Sequence, residues 1–308
     1  MEASITLKSL AKKYNNCVVL ADLSLGIERN SNHALIGQNG SGKSTILKVL
    51  VGLIEKDAGI AYINGKDISS RGIETRMVTG YMPQTIDFDP EINIYENLLF
   101  FAQLYGLSTT RAQKEIIKYA EVFDFKADLD KHPEVISKGT LRTMQLTRAI
   151  IHNPEILLLD EPTLEMDQSN KIKVWDLLEK IGKNKTILFV SQDFNEVEKF
   201  ADRISILHKG DIKMDGSLER LASTTKGLSK YEIRFNDIQP IELLDEIKKM
   251  PKILKPQFHG NSLEFYSYEK REFFHVLRKV IDREVSDIDI GFCKIMDLYL
   301  GLINNGME

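Results

Sequence analysis

The 308-residue chain has few cysteines, no long apolar run and no excess of positive charge. Its two cysteines, Cys17 and Cys293, lie far apart and match no metal-binding spacing, so we expect free thiols in a reducing compartment. No run approaches the ~18 consecutive apolar residues that span a bilayer. The N-terminus also lacks the basic and apolar regions of a secretory signal. These absences predict a cytoplasmic protein that does not itself cross a membrane.

The charge balance excludes a dedicated nucleic-acid binder. Lys and Arg together number 41 and Asp and Glu 45, which gives a formal net charge of −4. No overall field therefore attracts the chain to nucleic acid, and no such partner is expected. Hydrophobic residues make up 43% of the chain, enough for the cores of a soluble globular protein. At ~150 residues per domain, the length suggests two domains.

Up to about residue 220, strand-like runs alternate with helical patterns, which predicts an α/β fold. Four short, β-rich or apolar runs are typical of strands covered on both faces in a mostly parallel sheet: 33–36, 156–159, 186–190 and 204–208. Helical spacing occurs at 44–53 and 170–181. Shorter strands separated by polar turns, at 4–7, 18–25 and 59–63, predict an antiparallel flank.

From about 91 to 151 the sequence becomes helical and predicts an insertion between two core strands. Two sets of apolar residues recur at helical spacing and predict packing faces: Ile94, Leu98, Phe101 and Leu104, and then Ile116, Ala120 and Phe123. A further helix is predicted at 141–151.

The stretch 219–230 is rich in Ser, Thr, Gly and Lys and marks a boundary. Beyond it the predicted order is β-α-β-β-α-β, that of a ferredoxin-like unit, with a last amphipathic segment at 294–302. The predicted domains are therefore a core at 1–220, with a helical subdomain at about 90–151, and a small α+β accessory domain at 225–308.

A complete phosphate-loop motif, G-x-x-x-x-G-K-[ST], lies between a predicted strand and a predicted helix. Its residues are Gly37, Gln38, Asn39, Gly40, Ser41, Gly42, Lys43 and Ser44, followed by Thr45. The glycines let backbone N–H groups line a nest for nucleotide phosphates. Lys43 would reach the β- and γ-phosphates, and the Ser44 hydroxyl would ligate Mg²⁺. An ordinary glycine-rich turn before a helix is the alternative.

Two acids, Asp160 and Glu161, end the apolar run 156–159 and precede Pro162. Nucleotides bind beyond the carboxyl ends of such strands. Asp160 would hold Mg²⁺ directly or through water, and Glu161 could accept a proton from the attacking water. The alternative is that the two acids only make a strand end soluble. The complete phosphate loop disfavours this alternative.

With these motifs, residues 1–220 resemble the ATP-binding cassette ATPases, the nucleotide-binding subunits of ABC transporters. The resemblance implies a P-loop NTPase core with ATP and Mg²⁺ as ligands. It also implies that Tyr14 stacks on adenine. Gln84 is implied to contact Mg²⁺ and the attacking water, and to sense the membrane partner.

The remaining family motifs follow in the expected order. Ser137 and Gly139 lie where the family has its signature sequence, whose helix N-terminus points at the partner's γ-phosphate. Asp167 matches the aspartate of a loop that crosses the dimer interface. Taken alone, Ser137, Lys138 and Gly139 are also an ordinary N-cap sequence before the predicted helix.

The sequence departs from the family pattern at two places. Lys138 and Thr140 replace the usual residues of the signature, although Ser137 and Gly139 can still meet phosphate. Gln192 stands where the family usually has a histidine, so the catalytic region lacks an imidazole. Hydrolysis is expected to survive but to be slow.

The resemblance predicts an ATP-hydrolysing subunit that pairs as a homodimer, or with a second ATPase subunit, around ATP. It would power a separate exporter-type transmembrane permease from the inner face of the cell membrane. A slow, nucleotide-gated regulatory clamp is the alternative, favoured by Gln192.

A DNA-repair ATPase would need a long coiled-coil insertion, but the stretch between Ser44 and Ser137 lacks sustained heptads. A translation-type protein normally carries two cassettes, and here there is one.

Overall fold

The structure is a computed structural model that describes residues 3–15, 17–217, 220–221, 229–237, 241–267, 270–280, 283 and 285–292. Within these ranges the strands are β1 (Ala3–Tyr14), β2 (Cys17–Glu28), β3 (Asn32–Gly37), β4 (Ala58–Ile63), β5 (Lys66–Asp67), β6 (Thr79–Met82), β7 (Ile156–Asp160), β8 (Thr186–Val190), β9 (Arg203–His208), β10 (Asp211–Ser217), β11 (Ser229–Phe235), β12 (Leu254–His259), β13 (Ser262–Ser267) and β14 (Val285–Phe292). The α-helices are α1 (Lys43–Leu50), α2 (Gly72–Met77), α3 (Ile94–Leu104), α4 (Thr109–Val122), α5 (Lys138–Ile150), α6 (Gln168–Gly182), α7 (Phe194–Phe200), α8 (Ile241–Lys248) and α9 (Lys270–Val280). Short 3₁₀ turns at Lys126–Asp128 and Pro133–Val135 lie between α4 and α5.

The chain divides into two compact units, Met1–Leu218 and Glu219–Glu308. The division lies at the start of the Ser-, Thr- and Gly-rich stretch 219–230. That the first unit is a nucleotide-binding domain and the second an accessory domain remains a prediction. None of the helices in the described ranges is long and apolar enough to cross a bilayer.

The first unit contains a six-stranded sheet in the order β10-β9-β3-β8-β7-β6. All neighbours except the β9–β10 pair are parallel. The four runs predicted as covered strands form β3, β7, β8 and β9, and their apolar residues are buried, which confirms the prediction. The β6 strand, the fifth parallel member, was not predicted.

A second sheet in the order β2-β1-β4-β5 forms the predicted antiparallel flank. Its first two strands are longer than predicted, at 12 residues each. Their pairing shifts register between Leu7 and Leu10, next to Ser9 at φ 50°. Such a bulge lets a strand continue through residues that break the alternation of apolar and polar side chains.

Helices α3, α4 and α5 occupy the predicted helical segment. Ile94 and Leu98 are fully buried, as expected, but Leu104 is 59% exposed, so the predicted face of α3 does not extend to its last turn. The second predicted face is correct, because Ile116, Ala120 and Phe123 are all buried. Helix α5 begins three residues earlier than predicted because Ser137 caps it.

In the second unit the described elements β11-α8-β12-β13-α9-β14 match the predicted order. Their antiparallel sheet has the order β12-β13-β11-β14, so the strand after the first helix does not pair with the strand before it. This is the split arrangement of a ferredoxin-like unit. Its core consists mainly of aromatic and branched side chains, including Tyr231, Ile233, Phe235 and Phe265. The predicted segment 294–302 and Cys293 lie outside the described residues.

Candidate nucleotide site

Four parallel strands, β3, β6, β7 and β8, end at one edge of the central sheet, and each is followed by predicted site residues. A cavity of about 360 Å³ lies there. It is lined by the predicted residues Asn39, Gly40, Gly42, Lys43, Ser44, Thr45, Gln84, Asp160, Glu161 and Gln192. Val19 and Val190 complete the lining but were not predicted, because an isolated valine in a strand has no sequence signal for a ligand site.

The phosphate loop connects β3 to α1. Gly40 and Gly42 have φ values of 79° and 110°, which favour glycine. A Cβ on Gly42 would also lie only 2.7 Å from Cδ2 of Leu20. No described side chain caps α1, so the backbone N–H groups of its first turn remain available for an anion. Gly37, Gln38 and Ser41 belong to the loop but do not line the cavity.

The Lys43 side chain lies at the centre of this loop and is almost fully buried. Its Nζ donates hydrogen bonds to the carbonyl oxygens of Gly37 (2.7 Å) and Gln38 (2.9 Å). Burial lowers the pKa of Lys43, while the Glu161 and Asp160 carboxylates raise it. A phosphate that enters the cavity would add negative charge beside this buried ammonium, which donates hydrogen bonds to uncharged carbonyl oxygens.

Asp160 is the last residue of β7, and Glu161 follows it with φ 53°, a conformation that non-glycine residues rarely adopt. Both are buried, with exposed fractions of 1% and 6%. Burial raises the pKa of each carboxyl; for Asp160 a hydrogen bond from the Ser44 hydroxyl and the Lys43 ammonium lower it. Asp160 Oδ2 and Glu161 Oε1 have no hydrogen-bond partner among the described residues. Unpartnered buried oxygens favour a bound ligand at this place.

The oxygen donors here fit Mg²⁺. Asp160 Oδ2 is unpartnered, and the Ser44 hydroxyl and the Gln84 side chain line the same cavity. Mg²⁺ is usually held by one or two carboxylates together with substrate phosphates. In the described part of the chain no group of three His, Cys, Asp or Glu residues could hold a metal by itself. The residues therefore fit an ion that arrives with a nucleotide.

Gln192 follows β8 by two residues and contacts Glu161 directly. Its backbone N–H donates to Glu161 Oε2 at 3.2 Å, and its side chain also hydrogen-bonds to that carboxylate. Both hydrogen bonds lower the pKa of Glu161, against the larger effect of burial. Gln192 thus stabilises the ionised form of its neighbour, a contact that the sequence did not predict.

Replacing Gln192 with Leu is expected to move the acid limb of the kcat–pH profile to higher pH. Loss of the side-chain hydrogen bond raises the Glu161 pKa further, so the ionised carboxylate is lost earlier as the pH falls. Gln192→His is expected to hydrolyse ATP faster than wild type and to add a limb near neutrality, because imidazole has an unperturbed pKa of ~6.5. ATPase rates at saturating ATP across the acidic and neutral range measure both effects. Identical profiles for all three proteins would contradict them.

Outside the phosphate loop, four predicted residues do not reach the cavity of this single chain. Tyr14, at the end of β1, is 43% exposed. Ser137 caps α5, with its Oγ accepting from the Thr140 N–H at 3.2 Å, and Gly139 lies in the first turn of that helix. Asp167 caps α6 and is exposed. The capping role considered for Ser137 from the sequence is therefore present, and the cap by Asp167 is an addition from the structure.

Comparison with known proteins identifies the family. A family model described as ABC transporter matches residues 20–164. The Nod factor export ATP-binding protein I of Burkholderia orbicola (strain AU 1054) is 31% identical over 251 residues, which cover 81% of this chain and 82% of that protein. A solved ATP-binding subunit of an ABC transporter is 28% identical, with a TM-score of 0.67 over 71% of this chain and 92% of its own. A dimeric bacterial ABC transporter cassette is 25% identical, with a TM-score of 0.65 over 70% and 98%.

The sequence relative and the family model agree with the fold. The similarity includes the phosphate loop and the strand that ends in Asp160, so the matched region contains the cavity-lining residues from Asn39 to Glu161. This chain therefore belongs to the ATP-binding subunits of ABC transporters, and it is an ATPase of that family.

Proposed function

We propose that this chain binds ATP with Mg²⁺ in the cavity, pairs with a second cassette across the nucleotide, and drives a separate transmembrane permease by hydrolysis. The observation that carries the proposal is the lining of the cavity, where a phosphate loop, Gln84, two acids and Gln192 meet. The B. orbicola relative is named for export, so we propose export as the direction of transport. The chain would then lie on the inner face of the membrane, held there by the permease.

Each reaction role follows from the position of a side chain. The first-turn N–H groups of α1 and the Lys43 ammonium hold the phosphates. Ser44, Asp160 and Gln84 would hold Mg²⁺, which would supply positive charge next to the phosphates. Glu161 accepts a proton from the attacking water, because burial raises its pKa toward the working pH. Tyr14 would stack on the adenine ring.

Pairing would supply the donors that the single chain leaves outside the cavity. Ser137 and Gly139 lie at the exposed N-terminus of the 13-residue helix α5, whose positive dipole end favours an anion. In a two-fold, head-to-tail dimer they would meet the γ-phosphate bound by the partner chain, and Asp167 would lie at the interface. The dimeric cassette among the solved structures supports this arrangement.

The permease would dock in a groove of about 420 Å³ next to the segment that contains Gln84. Its walls come from α1, β6, α3, α5 and the residues that follow α1 and α3, and they include Leu53, Tyr81, Phe101, Tyr105 and Arg148. Leu53 is apolar but 63% exposed. The groove combines these apolar side chains with three cations, Lys48, Arg76 and Arg148, so it fits an amphipathic helix that carries acidic residues. We propose that the permease presents such a helix on its cytoplasmic side.

Affinity purification of the tagged chain from native membranes, followed by reconstitution with the recovered multi-span protein in vesicles, tests the proposal. We expect the permease to stimulate ATP hydrolysis by wild type but not by Leu53→Glu, which places a charge in the groove. Ile172→Glu, an exposed position on α6 outside the groove, is the matched control and should behave as wild type. Equal stimulation of Leu53→Glu would refute docking in this groove.

The slow regulatory clamp remains the second candidate, and Gln192, which stands where the family usually has a histidine, favours it. A clamp would dimerise with ATP yet show no stimulation by any membrane protein. The vesicle experiment therefore separates the two functions.

A further inference from the structure

Helix α5 contacts the segment that contains Gln84 through three long polar side chains. Arg142 Nη1 donates to the carbonyl oxygen of Pro83 at 3.0 Å. Gln145 Nε2 donates to the carbonyl oxygen of Thr85 at 2.6 Å. The two residues on either side of Gln84 are thus both held by one helix.

The third contact continues the pattern along the same segment. Arg148 Nη1 donates to the carbonyl oxygen of Asp87 at 3.0 Å, and the guanidinium also pairs with the Asp87 carboxylate. Arg142, Gln145 and Arg148 are spaced three residues apart, which places them on one side of α5. Their acceptors are three alternate residues of the segment.

These donors are buried, so breaking the contacts has a high cost in free energy. Arg142 is 2% exposed, Gln145 is fully buried and Arg148 is 6% exposed. A buried guanidinium or amide that loses its acceptor keeps the full penalty of its desolvation. The segment cannot separate from α5 without leaving such groups unpaired, so the two are expected to move together.

We infer that Arg142 and Gln145 are positioning residues, which hold Gln84 in the cavity at a set place relative to helix α5. The inference rests on the proposed role of Gln84 toward Mg²⁺ and water. The first turn of α5 carries Ser137 and Gly139, the groups proposed to meet the partner's nucleotide. A shift of α5 on pairing is therefore passed to Gln84 through the two carbonyl contacts.

The substitution Gln145→Met tests this inference, because it keeps the length of the side chain and removes its donors. We expect kcat to fall about tenfold, since small misplacements of catalytic groups carry losses up to ~10². ATP affinity, measured by calorimetry, should stay within about twofold because the phosphate loop is untouched. Arg142→Met should show the same split between kcat and affinity, and Arg142→Lys should recover part of the rate.

A double-mutant comparison separates positioning from general structural damage. In a Gln84→Ala background, Gln145→Met should change kcat by less than about twofold, because the group that it positions is absent. Thr147→Val is the matched control: Thr147 is equally buried on α5, but its hydroxyl donates only to the carbonyl oxygen of Thr143 (2.9 Å). This control should retain the wild-type kcat.

Three results would overturn the inference. Equal losses from Gln145→Met with and without Gln84 would show a merely structural role. Unchanged kcat in folded Gln145→Met and Arg142→Met proteins would show that neither residue positions Gln84. A fully active Gln84→Ala protein would instead remove the proposed role of Gln84, and the positioning role with it. If Gln145→Met fails to fold, Arg142→Met and Arg142→Lys in the two backgrounds decide the question.

Discussion

A Glu161→Gln protein is expected to hydrolyse ATP about 10²–10⁴-fold more slowly than wild type, the usual contribution of a general base. Glutamine keeps the shape of the side chain but cannot accept the proton of the attacking water. ATP should still bind, because Lys43 and the loop that holds the phosphates remain intact. Trapped ATP should then hold two chains together, since anything that binds only the paired state stabilises it.

Phosphate release measures the rate, and sizing chromatography with ATP and Mg²⁺ measures the dimer. Glu179→Gln is a suitable control, because Glu179 is exposed on α6 and the same chemical change there touches no site residue. A Glu161→Gln protein that stays monomeric with ATP would contradict the sandwich. One that hydrolyses ATP at the wild-type rate would remove Glu161 from the mechanism.

Replacement of Lys43 by Ala is expected to weaken ATP binding about tenfold or more, because hydrogen bonds to charged groups contribute roughly 1.5–3 kcal/mol. The ammonium lies buried in the loop next to the cavity, and its hydrogen-bond acceptors among the described residues are the carbonyl oxygens of Gly37 and Gln38. When phosphate binds, it offers this cation a full negative charge. Calorimetric titration with ATP and Mg²⁺ measures the change.

The control for this substitution is Lys118→Ala, on the exposed face of α4. It removes the same charge from the molecule without touching the cavity, so nucleotide affinity should not change. Equal affinity of wild type and Lys43→Ala would overturn the assignment of the phosphate loop.

The sequence alone predicted the parts of this protein that depend on neighbours along the chain. The phosphate loop is a local motif, and its glycines, lysine and serine are recognisable by spacing alone. Strands β3, β7, β8 and β9 are continuous apolar runs because both faces are covered, and a run of that kind is visible without a structure. The β-α-β-β-α-β order of the second unit was also visible in the sequence, because the spacing of apolar residues changes at each boundary between a strand and a helix.

Other features depended on residues distant in sequence and appeared only in the structure. Leu104 lies on a regular apolar spacing yet is 59% exposed, because the described residues that pack against α3 leave this side chain uncovered. Gln192 was placed in the catalytic region by its position, but its hydrogen bond to Glu161 exists because β7 and β8 are neighbours in the sheet.

The contacts of α5 show most clearly the difference between what the sequence predicts and what the tertiary structure decides. Arg142 and Gln145 occur in a helical sequence with nothing to mark them, and their acceptors lie about 60 residues earlier in the chain. Sequence spacing predicts which residues share a face of a helix, but not what that face meets. The motif residues of the site were therefore determined by the sequence. The groups that hold Gln84 in place were decided by tertiary packing. The physical reason is that a buried donor needs an acceptor, and only the fold brings that acceptor to it.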